Sequence, residues 1–322
     1  MERKTDTQTI KVVYGIDRNY LVPAAVSIHS LCGRATAPPE IVVYGEGLEP
    51  SDHETLLRVG EASGADIDVR KYDAPSPRRQ GLRSRWPAIV TLPLELPWLV
   101  EGRCLFVDAD TLVVGDVGEI MAIDLEGMPL GACMDPYFDG SSDLATTSRR
   151  LVRTRFQDVL LPKRSGRKRE SELRRAVSMG LRPGDLYFNS GVLVMECDAI
   201  RALAPLSSRG LPLNDPGGME PYANHLPDQD RLNEFFAGRY RRLPMRWNLA
   251  PMARGGKGRH WPESVRQEHD AAAAQPGIWH FAGPERKKPW SRSLKSRLAH
   301  RRHPAFRAWR ETYGKIRDLC GN

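Results

Sequence analysis

The sequence has no long hydrophobic run and few cysteines, and each absence excludes a class of protein. No stretch approaches the roughly 18 consecutive apolar residues of a membrane-spanning helix. The first residues, MERKTDTQTIKVV, are polar and unlike the apolar core of a signal peptide. The five cysteines contain no C-x-x-C pair, which argues against a thiolate metal site and a disulfide framework. We therefore expect a soluble, cytoplasmic protein with reduced cysteines.

The remaining composition is that of an ordinary globular protein. Of 322 residues, 40% are hydrophobic and 27% are charged, which argues against a disordered chain and a coiled coil. This length suits one large α/β domain or two small ones. Because the chain shows no internal repeat and no clear linker, we predict one domain over residues 1–285 and a basic tail over 286–322.

The net charge of +8 is unevenly distributed. Residues 149–175 carry +8 and residues 286–317 carry +11, which leaves −11 for the remainder. Such basic segments are either solvated surface or contacts for a polyanion, such as phosphate or an anionic membrane. No zinc-finger or RNP signature accompanies them, so we predict no nucleic-acid partner. Arginine outnumbers lysine by 38 to 10, which is compatible with a bacterial gene of high GC content.

Short apolar runs alternate with helical patterns along much of the chain. Helices are predicted at residues 21–32, 52–62 and 228–238, and strands at 10–16, 41–44, 65–69, 103–107, 130–134 and 187–196. This alternation favours a mostly parallel sheet covered by helices on both faces. Ligands of such sheets gather beyond the carboxyl ends of the strands. Residues 136–185 are arginine-rich and irregular, and we predict an excursion from the sheet or a lid there.

Two carboxylates, Asp108 and Asp110, directly follow the predicted strand 103–107. Two hard oxygen donors on one turn can hold Mn²⁺ or Mg²⁺ and leave positions for a diphosphate. A lone D-x-D motif is more often structural. His280 ends a short apolar run and has the ligand type for a third position on Mn²⁺, while Lys288 could neutralise a nearby phosphate.

Two further polar segments come at element ends. Asn189 and Ser190 precede an apolar strand, where they either form a turn or bind a sugar or phosphate, with Gly191 allowing close approach. Asp228 and Gln229 open a predicted helix, where capping is the ordinary role. Taken singly, neither segment distinguishes a structural role from a binding role.

In order and content, these four segments closely resemble glycosyltransferase family 8, the retaining family that includes bacterial lipopolysaccharide galactosyl- and glucosyltransferases and glycogenin. The resemblance runs from the first strand to Trp290. It implies a GT-A fold, which is a Rossmann-like nucleotide-sugar-binding α/β sheet with a D-x-D motif. It also implies transfer of a hexose from a UDP-hexose, glucose or galactose, with Mn²⁺ or Mg²⁺ as cofactor.

The resemblance implies roles residue by residue. The metal ligands would be Asp108, Asp110 and His280. The nucleotide and diphosphate positions would be Gly15, Asp17, Asn19, Ala109, Gly283 and Lys288. The donor-sugar positions would be Asp135, Asn189, Ser190, Asp228 and Gln229, among which Gln229, Asp228 and Asp135 are the catalytic candidates.

The sequence departs from the family pattern before the D-x-D strand. The family's tyrosine and donor-binding arginine fall on Ala88 and Ile89, so that contact is missing or comes from Arg83 or Arg85. Two extra residues precede Lys288, which makes Lys287 an alternative phosphate ligand.

The mechanism implied by the resemblance places Gln229 nearest the sugar face opposite the leaving group. A neutral amide is a poor nucleophile, so we favour same-face attack with a UDP oxygen as base, while Asp228 and Asp135 orient sugar hydroxyls. A sugar-1-phosphate nucleotidyltransferase is an alternative, but it would have a glycine-rich basic loop in place of IDRNYLVP. The second alternative is a catalytically silent donor-binding protein, against which the intact D-x-D motif and His280 argue.

The acceptor stays open among a glycolipid, a cell-wall glycan and a secondary metabolite. We interpret residues 136–185 as the acceptor side because of their place in the family pattern. Residues 304–320 have helical spacing, with Phe306, Trp309, Tyr313 and Ile316 on one face. This stripe either packs onto the body or lies on the anionic inner face of a membrane.

Overall fold

The computed structural model describes residues 9–73, 86–135, 187–203, 227–251, 263–284, 287–291, 293, 300 and 302–320. The predicted excursion at 136–185 and the candidate donor ligands Arg83 and Arg85 lie outside the described residues.

In the part of the chain that the structure describes, nine strands form one large sheet and one small one. They are β1 (Lys11–Asp17), β2 (Glu40–Glu46), β3 (Asp66–Lys71), β4 (Arg103–Val107), β5 (Thr111–Val113), β6 (Leu130–Met134), β7 (Phe188–Glu196), β8 (Arg241–Arg242) and β9 (Ile278–His280). The large sheet has the order β3-β2-β1-β4-β7-β6-β8, and β5 pairs with β9. Within the large sheet, β7 is antiparallel to both neighbours and the other pairs are parallel. The predicted mostly parallel sheet is confirmed.

Eight α-helices flank the sheet in the described residues. They are α1 (Leu21–Cys32), α2 (Pro50–Ser63), α3 (Leu92–Leu99), α4 (Val117–Met121), α5 (Cys197–Leu203), α6 (Pro227–Phe235), α7 (Glu263–Ala274) and α8 (Pro304–Ile316). Successive side chains of β1 face opposite sides of the sheet and belong to two different apolar clusters. Val12 and Tyr14 belong to the apolar cluster under α1, α2 and α8, and Val13 belongs to the cluster under α3 and α5.

Helix α8 packs its apolar stripe against the body of the protein. Phe306, Trp309 and Ile316 are buried in the cluster that also contains residues of β1 and α1. Trp309 stacks on Tyr313, with ring centroids 5.5 Å apart, and contacts Trp290 at 5.4 Å. The stripe thus has the packed arrangement, one of the two alternatives drawn from its spacing. No helix among the described residues is both long enough and apolar enough to cross a membrane.

Candidate active site

The turn after β4 holds Asp108 and Asp110 beside β7. The backbone N–H of Asp108 donates to the Gly191 carbonyl at 2.8 Å, which extends the β4–β7 pairing into the turn. The Thr111 hydroxyl donates to the Asp108 carbonyl at 2.9 Å and lies 2.7 Å from the hydroxyl of Ser27 in α1. Because the Thr111 hydrogen is used on that carbonyl, Ser27 is the donor of the second bond. Strand β7 and helix α1 therefore hold the acidic turn from two sides.

Strand β9 brings His280 to the two carboxylates. Its pairing with β5 sets His280 opposite Thr111. Nε2 of His280 lies 3.2 Å from Asp110 Oδ1 and 3.6 Å from Asp108 Oδ2. One ligand atom from each of the three side chains lies within 4.8 Å of the other two. Two carboxylates and an imidazole suit Mn²⁺ or Mg²⁺, so the residues present fit a divalent cation.

Gly191 makes this close approach possible. A Cβ at this position would lie 2.3 Å from His280 Cε1 and 2.7 Å from Asp108 Oδ2. Even the methyl group of alanine would displace one of these two candidate ligands. The glycine is therefore needed for the space it leaves beside the acidic turn.

The two carboxyl groups have opposite pKa shifts. Lost solvation and repulsion from Asp110 raise the pKa of Asp108 to about 7, although its side chain is 40% exposed. Burial also acts to raise the pKa of Asp110, but Lys288 and His280 hold it well below the usual range. In His280, burial lowers the pKa and the two carboxylates, Asp110 foremost, raise it above the usual value. A cation that binds the ionised carboxylates would therefore release a proton from Asp108 near neutral pH.

Lys288 supplies a buried positive charge at the same point. Its ammonium contacts Asp110 Oδ2, and its side chain is only 3% exposed. The ring centroids of Tyr20 and Trp290 lie 5.9 and 5.6 Å from the nitrogen. Lys287 is exposed. Of the two lysines that the sequence left as alternatives, Lys288 is therefore the one beside the acidic turn.

The predicted donor-sugar residues form one hydrogen-bonded group at the ends of β6, β7 and α6. The Ser190 hydroxyl donates to Asp228 Oδ2 at 2.7 Å. The Asn189 amide donates to Gln229 Oε1 at 3.0 Å, and the Gln229 amide donates to Asp135 Oδ2 at 2.7 Å. Burial raises the pKa of Asp228 to about 6, against the effect of the Ser190 bond. These contacts position the first turn of α6 against β7.

Asn248 joins this group to His280 and was not predicted. It lies in the 3₁₀ turn Met245–Asn248 and is 3% exposed. Its Oδ1 is 2.8 Å from Nδ1 of His280, and its Nδ2 donates to Asn189 Oδ1 at 2.8 Å. In the sequence it is a single asparagine in the run RWNLA, which carries no recognisable motif. Only the three-dimensional arrangement reveals it.

The predicted nucleotide residues of β1 lie on the strand next to β4. Asp17 Oδ1 accepts from the backbone N–H of Tyr20 at 3.2 Å and caps the turn Arg18–Tyr20. Its Oδ2 accepts from the side-chain amide of Asn19 at 3.1 Å. Ala109 is buried between the two acidic residues, and Gly283 follows β9 with a φ of 112° that favours glycine.

The family model described as Glycosyl transferase family 8 matches residues 11–293. The chain belongs to this family. The matched range contains every candidate site residue, so the resemblance found in the motifs is confirmed.

Solved glycosyltransferases share the fold of this family 8 chain. The galactosyltransferase LgtC, solved with donor and acceptor sugar analogues, is 18% identical with a TM-score of 0.67, covering 95% of this chain and 96% of LgtC. The bifunctional glycosyltransferase WbbM is 17% identical with a TM-score of 0.67 over 99% of this chain, which spans 53% of WbbM. GlyE of Streptococcus pneumoniae TIGR4 is 18% identical with a TM-score of 0.54 over 96% of this chain and 62% of GlyE. The predicted GT-A fold is confirmed. No curated protein sequence matches the chain significantly.

Ile89, the residue that the resemblance aligns with the family's donor-binding arginine, packs against β1. A Cβ on Gly15 would lie 2.8 Å from Leu92 Cδ2 and 3.3 Å from Ile89 Cγ1. The backbone N–H of Ile89 donates to Glu46 Oε2 at 2.7 Å. Gly15 therefore allows the segment that begins α3 to lie close to the sheet, and the side chain at position 89 is apolar and buried.

Proposed function

We propose that the protein is a metal-dependent retaining hexosyltransferase that uses a UDP-hexose, glucose or galactose, and an acceptor hydroxyl. Membership of family 8 makes it a glycosyltransferase. The observation that carries the finer proposal is the group of Asp108, Asp110 and His280, with Lys288 beside it. The galactosyltransferase activity of LgtC, which has the same fold, supports a hexose as the transferred sugar.

The proposed metal site would be formed by Asp108, Asp110 and His280. Mn²⁺ or Mg²⁺ bound there supplies Lewis-acid stabilisation of the departing diphosphate. Lys288 adds a fixed positive charge where negative charge grows in the transition state. Its ammonium is buried against Asp110, so no solvent reorganisation is needed to bring it there. Gly283 would leave room for the diphosphate beside this lysine.

The donor sugar would lie against Gln229, Asp228 and Asp135, with Asn189 and Ser190 beside it. Both ends of the Gln229 amide are hydrogen-bonded, Oε1 to Asn189 and Ser190 and Nε2 to Asp135. A neutral amide held in this way is a poor nucleophile, so we favour same-face attack. A diphosphate oxygen then accepts the proton of the acceptor hydroxyl, while Asp228 and Asp135 orient sugar hydroxyls.

The nucleotide would lie along the end of β1. Gly15, Asp17 and Asn19 would contact uracil and ribose, and Ala109 would contact the nucleotide from the acidic turn. In the family the donor also contacts an arginine, and Ile89 cannot replace that charge. We therefore expect donor binding to depend strongly on the metal and Lys288.

The acceptor is a glycolipid, a cell-wall glycan or a secondary metabolite in this proposal, and the protein works in the cytoplasm.

Contact with the anionic inner membrane face would use the exposed basic residues of the tail, since the apolar stripe of α8 is buried. The test is cosedimentation with anionic and neutral vesicles, comparing the full chain with a variant carrying glutamate at Arg307, Lys315 and Arg317. Equal binding of both proteins to anionic vesicles would refute a contact made by these residues.

The function is tested by incubating the protein with UDP-glucose or UDP-galactose, Mn²⁺ and candidate acceptors. We expect release of UDP and a hexosylated product by mass spectrometry. Release of pyrophosphate in a parallel incubation with UTP and a hexose 1-phosphate would indicate the nucleotidyltransferase alternative, and no turnover with any UDP-hexose would indicate the silent binding protein. An α-linked product, read from the anomeric proton coupling in its NMR spectrum, demonstrates retention from these α-linked donors, and a β-linked product contradicts it.

A further inference from the structure

We propose that Asn248 is a positioning residue that selects the tautomer of His280 with hydrogen on Nδ1, so that Nε2 is left as the atom facing Asp108 and Asp110. The proposal rests on the proposed function only in that it takes this group as the cation site. The observation that carries it is a continuous line of buried hydrogen bonds from Asp135 to His280.

Two backbone amides define the direction of this line. A backbone N–H can only donate, so the side-chain atoms that face it must be oxygens. The Ser190 N–H donates to Gln229 Oε1 at 3.1 Å, and the Gly191 N–H donates to Asn189 Oδ1 at 3.0 Å. The amide nitrogens of both side chains therefore point the other way, Asn189 Nδ2 to Gln229 and Gln229 Nε2 to Asp135.

Asn248 continues the same direction to the imidazole. Because Asn189 presents an oxygen, Asn248 presents Nδ2 to it and turns Oδ1 toward His280. A carbonyl oxygen only accepts, so Nδ1 of His280 must carry the hydrogen. In the neutral ring the lone pair is then on Nε2, which lies 3.2 Å from Asp110 Oδ1. Asn248 thus disfavours the neutral tautomer with hydrogen on Nε2, because that tautomer has no lone pair on Nε2 with which to bind a cation.

Burial makes this orientation costly to reverse. Asn248, Asn189, Gln229 and His280 are all less than one-tenth exposed, so water cannot replace a lost partner. Turning the Asn248 amide over would place a donor against Nδ1–H and an oxygen against Asn189 Oδ1. Both contacts would be repulsive in a medium of low dielectric constant. Partners of this kind orient the histidine ligands of metal sites, and their loss typically lowers metal affinity by about 10- to 100-fold.

The first experiment reads the tautomer directly in the metal-free wild-type protein. The full chain is labelled with ¹⁵N in histidine rings, and long-range ¹H–¹⁵N correlations are recorded in alkaline buffer, where the ring is neutral. The His280 signals are assigned by their loss in His280→Ala. We expect a protonated Nδ1 and an unprotonated Nε2. Hydrogen on Nε2 would overturn the proposal without any assay of glycosyl transfer.

The second experiment uses variants and measures Mn²⁺ binding by the loss of its free EPR signal. Asn248→Leu removes both hydrogen bonds, so we expect mixed tautomers and an affinity about 10- to 100-fold lower. Asn248→Asp keeps an acceptor opposite Nδ1, so we expect it to retain the tautomer and most of the affinity. Its second oxygen faces Asn189 Oδ1 in place of the Nδ2 donor, so we also expect this variant to be less stable than the wild type. Wild-type Mn²⁺ affinity in a folded Asn248→Leu protein would refute the positioning role.

Asn233→Leu is the matched control. Asn233 is equally buried, but it bonds to the backbone of Phe188 and to the Gln229 carbonyl, with no bond to His280. We expect this variant to lose stability and keep both the tautomer and the Mn²⁺ affinity. An equal loss of affinity in Asn233→Leu would mean that general loosening of the packing, and not the loss of the Asn248 contacts, causes the effect.

If Asn248→Leu does not fold, the wild-type tautomer and Asn248→Asp still decide the question. Failure of hexosyl transfer with every donor would count against the proposed function and leave these measurements unchanged.

Discussion

Replacing Gly191 by alanine is the most direct test of the site geometry. The added methyl carbon would lie 2.3 Å from His280 Cε1, whereas carbon atoms in contact ordinarily lie about 3.5–4.0 Å apart. The ring or the strand must therefore move by about 1 Å or more. Metal–ligand distances tolerate deviations of only about 0.2 Å, so we expect Mn²⁺ affinity to fall by about 10- to 100-fold. Hexosyl transfer should fall by about 100-fold, because misplacement by about 1 Å commonly has that effect.

Gly131→Ala is the control for this variant. Gly131 lies in β6, and its added methyl group would meet Leu125 at 2.8 Å and Leu243 at 3.1 Å, away from the candidate ligands. Both variants should lose about 1–3 kcal/mol of stability through overpacking. Only Gly191→Ala should lose Mn²⁺ binding, as measured by EPR or calorimetry beside thermal denaturation. A folded Gly191→Ala protein with wild-type Mn²⁺ affinity would refute the assigned geometry.

Three further predictions concern the charges of the site and the tail. Asp110→Asn should abolish transfer and also destabilise the fold by about 3 kcal/mol, measured by urea unfolding, because the buried ammonium of Lys288 loses its partner. Mn²⁺ affinity should fall as pH drops below about 7, because the pKa of Asp108 is raised to about 7 and protons then compete with the cation. An EPR titration that shows the same Mn²⁺ affinity at pH 8 and pH 6 would contradict this. Ending the chain at residue 303 removes the large buried side chains Phe306, Trp309 and Ile316 of α8, each of which contributes about 1.5–3 kcal/mol, so the shortened protein should unfold at much lower urea concentration.

Six of the seven strands that the described residues contribute to the large sheet could be predicted, all but β8, but not the direction of each one. The apolar runs at residues 103–107 and 130–134 coincide with β4 and β6. Strand β7 contains the apolar run Val192–Met195, which is buried on both faces. The hydrophobic pattern of such a run is the same whichever way the strand points. Its reversal brings residues 189–191, at its start, beside the end of β4. The placement of these residues at the site therefore depends on a feature that hydrophobic periodicity does not encode.

The candidate ligands could be predicted because the four polar segments together match the family pattern, whereas the way in which they are held could not. Taken singly, a D-x-D motif and a histidine after a short apolar run are more often structural. Asn248 bonds to His280 and Asn189, and Gly191 leaves space for His280 and Asp108, all of which are distant from them in sequence. Asparagine and glycine are common in turns, so their types alone carry little information.

The segment around Asn248 also determines where His280 lies. Strand β9 pairs with β5 for only three residues, and a slip by one residue would turn His280 to the opposite face. Leu249, next to Asn248, accepts from the His280 N–H and donates to the Ile278 carbonyl, both at 2.9 Å, which holds β9 in register. On the other side, the Phe281 N–H donates to the Asp110 carbonyl at 2.8 Å. Leu249 therefore fixes the position of the imidazole through backbone hydrogen bonds, and its neighbour Asn248 fixes the tautomer through the hydrogen bond to Nδ1. A substitution that shifts this turn should consequently disturb both together, whereas Asn248→Asp should leave the position of the ring unchanged.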